Sequence, residues 1–251
     1  MVKVTRVQLK KGIYILPSLL TTASVFCGFY ALIAAMNDKF YAAAVAIVAA
    51  IVFDGLDGRV ARLTKTVSAF GVQYDSLADV ISFGVAPAVL VYIWVLKPFG
   101  RLGWMAAFLY LLCGALRLAR FNVTKPDIRG NQFIGLPIPA AAGVLASIII
   151  AFEDLLGTRL DPMVMVGVVY LLALLMVSNL QYPAFKTFEF KKRVVFTRFL
   201  FVVLFLYGFA TIPKIALFLL SCLYLFSGPA MYFISLFRER RSARHAAMNS
   251  K

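Results

Sequence analysis

Four aspartates, Asp54, Asp57, Asp75 and Asp79, fall within a 26-residue window of a chain that has only eleven acidic residues. Asp54 and Asp57 are three apart and Asp75 and Asp79 four apart, so each pair projects from one side of a helix. The flanking residues are apolar enough for membrane helices, where a carboxylate costs on the order of 2.5–3.5 kcal/mol at a helix centre. Four carboxylates carried against that cost point to function. Oxygen donors with no His or Cys beside them favour magnesium, manganese or calcium over zinc. Two such ions close together suit one task in particular, the clamping of phosphate oxygens during phosphoryl transfer. The plainer reading pairs the aspartates with neighbouring arginines. That neutralises one or two charges, not four.

The residues around the aspartates extend both stripes. Gly58, Ala61 and Arg62 continue the line of Asp54 and Asp57, while Gly71, Ala78 and Ser82 accompany Asp75 and Asp79. A short turn over residues 63–70 makes two antiparallel helices and brings the stripes face to face, where four like charges repel and call for counter-charge. Gly58, Ala61 and Gly71 lack bulk. Such positions let a phosphate or nucleotide approach the backbone, or let two helices pack closely; both readings stand. Arg62 can pair with an aspartate or contact a phosphate, and Arg59 lies off the stripe.

The elements that must hold these residues are membrane helices. Hydrophobic residues make up 62% of the chain and mean hydropathy is +0.88, more apolar surface than a water-soluble domain can keep dry. The expected class is all-α, a polytopic membrane protein with about eight spans over residues 14–36, 40–61, 72–96, 103–121, 136–152, 162–180, 195–211 and 213–237. Residues 1–13 are basic and read as an interfacial segment, residues 14–237 as one transmembrane domain, and residues 238–251 as a basic, frayed tail. Residues 14–36 read as an uncleaved span. The segments 122–135 and 181–193 are expected as polar connections, the first irregular.

With eight spans both termini share a side, and all 26 lysines and arginines except Lys39, Lys97, Arg101, Arg159 and Lys214 fall on it. By the positive-inside rule that side is cytoplasmic, which puts the aspartates at the cytoplasmic face of the inner membrane. The net charge of +15 therefore reflects orientation and attraction to anionic lipid headgroups, and nucleic acid is excluded as a partner. Cys27, Cys113 and Cys222 lie far apart within spans and read as packing residues. An ion-coupled transporter could also use membrane carboxylates, but it would place them near mid-bilayer in a repeated fold, and no internal repeat is visible.

The run Asp54-x-x-Asp57-Gly58-x-x-Ala61-Arg62, eight residues, then Gly71-x-x-x-Asp75-x-x-x-Asp79 resembles the full signature of the CDP-alcohol phosphotransferases. The resemblance implies that Asp54, Asp57, Asp75 and Asp79 bind two divalent ions, Mg2+ or Mn2+, and that Asp79 is the general base. It also implies that Asp57, Gly58, Ala61, Arg62 and Gly71 receive the cytidine diphosphate moiety, and that the assembly is a homodimer. Further stretches are similar to the bacterial, membrane-embedded branch that takes L-serine as acceptor: Gly12-Ile13-Tyr14, residues 70–87, Leu118-Ala119-Arg120-Phe121-Asn122 and the run from Gly135 to Gly143. Ser18 and Ser24 stand where relatives often carry Asn. The implied reaction joins CDP-diacylglycerol and L-serine; glycerol 3-phosphate or inositol phosphate are rival acceptors. Arginine offers a planar fork for the serine carboxylate. Arg120, Arg117 and Asn122 are the candidates, with Arg120 favoured for its place in the family-like run; a positive-inside anchor is the plainer role for either arginine.

Overall fold

The computed structural model describes residues 6–64, 66, 68–123, 132–183 and 213–249, and it is mostly helical. Helix α1 (Arg6–Met36) turns through Asn37-Asp38, with Asp38 at a left-handed φ of 56°, into α2 (Phe40–Leu63). The two pack along much of their length through alanines: Ala31, Ala34 and Ala35 on one, Ala43, Ala44, Ala46 and Ala50 on the other are buried. Small side chains allow this close approach.

Helix α3 (Ala69–Asp79) continues without a break through a π-helical turn at Val80–Val85, α4 (Ala86–Val91), a second π turn at Tyr92–Leu96 and a 3-10 turn at Lys97–Phe99. Gly100, at φ 53°, reverses the chain into α5 (Arg101–Val123). At the heart of the bundle lies α6 (Ile138–Ala151), buried from Val144 to Ala151 and extended by a π turn at Phe152–Leu156. Asp161 caps α7 (Pro162–Val177) by accepting from the N–H groups of Met163 and Val164 at 2.8 and 3.3 Å. The last described helix, α8 (Pro213–Asn249), packs against α6, where Ser147 and Ser221 share a 2.7 Å hydrogen bond.

Among the described residues, five stretches are long and apolar enough to cross a membrane: Leu16–Met36, Phe40–Leu63, Ala69–Phe99, Arg101–Val123 and Pro213–Tyr232. They correspond to the expected first four spans and the eighth. The expected spans at 136–152 and 162–180 become α6 and α7, which are shorter because Pro137 and Gly157 bound one and Pro162 and Ser178 the other. The expected span at 195–211 lies outside the described residues, as do residues 1–5. Residues 6–13 are already part of α1, and residues 238–249, rich in the helix formers Arg and Ala, extend α8.

A small departure from all-α is an antiparallel ribbon of β1 (Gln132–Ile134) and β2 (Gln181–Pro183), with Phe133 opposite Tyr182. It falls where irregular connections were expected, because three-residue strands carry no readable period. Gly135, at φ 76°, lets the chain turn against the carbonyl of Met176, which a Cβ there would strike. Tyr182 is fully buried over Gly228 of α8, and its hydroxyl donates to the Leu225 carbonyl at 3.4 Å.

Candidate active site

The end of α2 and the start of α3 form the site. Their turn is tied by short-range bonds: the Thr64 hydroxyl donates to the Val60 carbonyl at 2.7 Å, and the Thr66 N–H to the Ala61 carbonyl at 3.0 Å. Ser68 then caps α3, accepting from the Gly71 N–H at 3.0 Å. With the hairpin closed, one carboxylate oxygen from each of Asp54, Asp57 and Asp75 lies within 4.8 Å of the others. Asp79, one turn beyond Asp75, lines the same cavity and lies close enough to Asp54 to share a hydrogen bond. The cavity measures about 450 Å3 and opens between α1, α2, α3, α5 and the start of α6.

Arg62 and Arg117 line the same cavity, yet neither forms an ion pair with these carboxylates. Among the described residues the ion pairs are Arg159–Glu153 and Lys214–Asp154, and neither touches the four. Oδ1 of Asp75 and Oδ1 of Asp79 are buried without a hydrogen-bond partner. Unpartnered buried oxygens of one sign fit a divalent cation far better than an internal salt bridge. Three clustered donors, all oxygen, meet the hard-cation preference.

The two readings of the small residues separate here. A Cβ on Gly58 would meet nothing within 4 Å, so no neighbouring helix demands glycine there; the open space is the cavity. Ala61, Arg62 and Gly71 line it too, and a Cβ on Gly71 would come only as near as 3.1 Å to its own cap, Ser68 Oγ. Gly28 shows what packing looks like: a Cβ there would lie 2.7 Å from the Ser82 backbone.

The three candidates for a substrate carboxylate part company. Arg117 is only 6% exposed, lines the cavity beside Pro137 and Pro139, and its Nε has no hydrogen-bond partner. Arg120, three residues on, turns away. Its guanidinium donates to the carbonyls of Val177, Ser178 and Ile134 and to Asn179 Oδ1 at 3.2–3.3 Å, closing the end of α7 onto β1. Asn122 donates to Ser76 Oγ at 2.9 Å and is not among the cavity-lining residues.

Residues that the aspartate pattern does not announce also line the cavity: Ser18 and Thr21 from α1, Thr66 and Ser68 from the turn, Phe121 from α5, and Pro137 and Pro139 from the start of α6. Thr21 is buried and donates to Asp57 Oδ2 at 2.7 Å. A threonine in an apolar helix reads as bonding its own preceding turn, so nothing in the sequence marks it.

Residues 14–178, which include every cavity-lining side chain, match the CDP-alcohol phosphatidyltransferase family. The chain belongs to that family. Among relatives of this CDP-alcohol phosphatidyltransferase, a CDP-diacylglycerol–serine O-phosphatidyltransferase of Helicobacter pylori is 40% identical over 86% of the chain and 90% of its own length. One of the same name from Methanocaldococcus jannaschii is 46% identical over 54% of the chain and 60% of its own length. An archaetidylserine synthase of Methanothermobacter thermautotrophicus is 38% identical over 67% and 69%.

Proposed function

We propose that the chain transfers the phosphatidyl group of CDP-diacylglycerol to L-serine, releasing CMP and forming phosphatidylserine. The observation that carries this reading is the meeting of four carboxylates, none ion-paired among the described residues, in one cavity whose wall is left open by Gly58. The names of the relatives support serine as the acceptor.

Asp54, Asp57 and Asp75, with Asp79 as a fourth ligand, would hold two divalent ions, Mg2+ or Mn2+. Bound there, the ions would neutralise charge on the pyrophosphate oxygens. Gly58, Ala61, Arg62 and Gly71, together with Asp57, receive the cytidine diphosphate moiety. Asp79 takes the proton of the serine hydroxyl on a carboxylate that already has an oxygen free of protein partners. The serine oxygen forms a bond to the phosphorus that carries diacylglycerol, the bond from that phosphorus to the bridging oxygen breaks, and CMP leaves with that oxygen. General-base help of this kind contributes about 10²–10⁴-fold. Arg117, buried and with an idle Nε, is the group for the serine carboxylate. Arg120 and Asn122 serve the architecture around it.

We take the chain to cross the inner membrane eight times with both termini and the cavity on the cytoplasmic side, on the strength of its lysine and arginine distribution. The working assembly is a homodimer, as the family resemblance implies.

The test is CMP release by purified protein given CDP-diacylglycerol and Mn2+ or Mg2+, with L-serine, glycerol 3-phosphate and inositol phosphate offered separately. Release dependent on serine, abolished by Asp79→Asn and by chelator, is the expected result. Release with another acceptor overturns the serine assignment and leaves the chemistry. Near-normal turnover in Asp79→Asn removes Asp79 as the base.

A further inference from the structure

We propose that Thr21 is a positioning residue that holds the Asp57 carboxylate in the orientation needed for cation binding. The inference rests on the reading of the aspartates as cation ligands. Thr21 comes from α1, which carries none of the four, and is only 5% exposed. Its hydroxyl has two acceptors in reach, the Pro17 carbonyl one turn back at 3.1 Å and Asp57 Oδ2 at 2.7 Å. A hydroxyl has one proton to give. It goes to the nearer, ionised acceptor, because a charge-assisted bond is the stronger of the two.

The geometry gives this bond a purpose that packing does not. Asp57 sits near the cytoplasmic end of α2, and the next turn brings Gly58 and Ala61, neither of which has a side chain to brace it. No described lysine or arginine pairs with it. Thr21 is thus the side-chain donor to Asp57, and it reaches across from a different helix. One anchored oxygen fixes the rotation of the carboxylate plane. Partners that orient metal ligands in this way typically change affinity by about 10–100-fold when removed. The adjoining Thr22 shares a 2.9 Å hydrogen bond with the Tyr74 hydroxyl, next to Asp75 on α3. Consecutive hydroxyls of α1 therefore reach both halves of the carboxylate hairpin.

The experiment measures Mn2+ binding directly, from the loss of the free-ion electron paramagnetic resonance signal, in full-length purified protein without substrate. Thr21→Val keeps the shape and removes the proton; Thr21→Ser keeps the proton and removes a methyl. The expected result is a dissociation constant raised about 10-fold or more in Thr21→Val and restored to within about threefold in Thr21→Ser, with unchanged thermal unfolding in chelator. Wild-type affinity in Thr21→Val overturns the inference. So does equal weakening in both variants, or weakening that tracks a lower unfolding temperature in chelator, since either marks a packing role. Wild-type protein that binds no Mn2+ overturns the cation reading itself, and this inference with it.

Discussion

Arg117 and Arg120 share a helix, a charge and a three-residue separation, yet they do different work. Three residues on an α-helix leave the two side chains about 60° apart on neighbouring strips of one side, so what packs opposite each decides that one guanidinium lines the cavity and the other reaches the end of α7. There Arg120 meets the Val177 and Ser178 carbonyls, which the end of α7 leaves open, together with the Ile134 carbonyl of β1 and the Asn179 side-chain oxygen. Arg120→Ala is expected to lower stability by about 1–3 kcal/mol, the worth of hydrogen bonds to a charged donor discounted for exposure, with the KM for serine unchanged. Arg117→Lys keeps the charge and loses the fork. It is expected to raise the serine KM by about tenfold, with little change in the KM for CDP-diacylglycerol. Steady-state kinetics beside thermal melts decide between them, and a selective rise in serine KM from Arg120→Ala would reverse the two roles.

At the scale of elements, α2 and α3 carry the four carboxylates and α1 packs against both. Their glycines divide by what faces them. Gly58 faces the cavity, so Gly58→Ala adds a methyl where no protein atom waits; helix propensity then predicts stability unchanged or raised by up to about 1 kcal/mol. The same methyl intrudes on the ligand, so the KM for CDP-diacylglycerol is expected to rise several-fold. Gly28→Ala meets the Ser82 backbone at 2.7 Å and is expected to cost about 1–3 kcal/mol through overpacking. Melting curves and nucleotide kinetics on the pair should show opposite patterns. If Gly58→Ala melts like Gly28→Ala and binds substrate normally, the cavity is not the nucleotide site. The π turn directly after Asp79 belongs to this scale too. It lies where Ser82 donates to the Ser24 carbonyl at 3.0 Å and Tyr110 to the Phe83 carbonyl at 3.1 Å, so α3 is gripped from two sides just beyond the carboxylates.

Across the whole molecule, α2 separates two unlike ends. One end has the carboxylate cavity. The other has Arg159, which donates to the Trp94 carbonyl at 3.0 Å, lies over the Phe40 ring at 4.9 Å and faces Glu153, itself the acceptor for Trp94 Nε1. Lys214 pairs with Asp154 and sits over the Tyr41 ring, binding α8 to the same end. That end is closed by ion pairs, whereas among the described residues none of the four aspartates at the cavity end forms one. Membrane orientation is testable at the turns that flank α2. With the three native thiols replaced by alanine, Asn37→Cys should react with an impermeant maleimide added outside intact spheroplasts. Thr64→Cys should react only after permeabilisation. The reverse pattern would put the cavity on the outer face.

The aspartates, their helical spacing, the class of cation they favour and the membrane environment were all legible in the chain, because a carboxylate in an apolar run and a period of 3.6 residues are local properties. So was the hairpin that brings Asp54 and Asp57 to Asp75 and Asp79, since a short turn between two amphipathic stripes leaves little choice. The split between Gly58 and Gly28 was not legible: both are glycines in helices, and only the atoms opposite them tell open space from a neighbour's backbone. Nor could sequence rank Arg117 over Arg120, or find Thr21 beside Asp57 across 36 residues. Those depend on which faces of α1, α5 and α6 meet, and in an apolar chain whose helices are hydrophobic nearly all round, the pattern of residues does not say which face turns inward. Packing decides it.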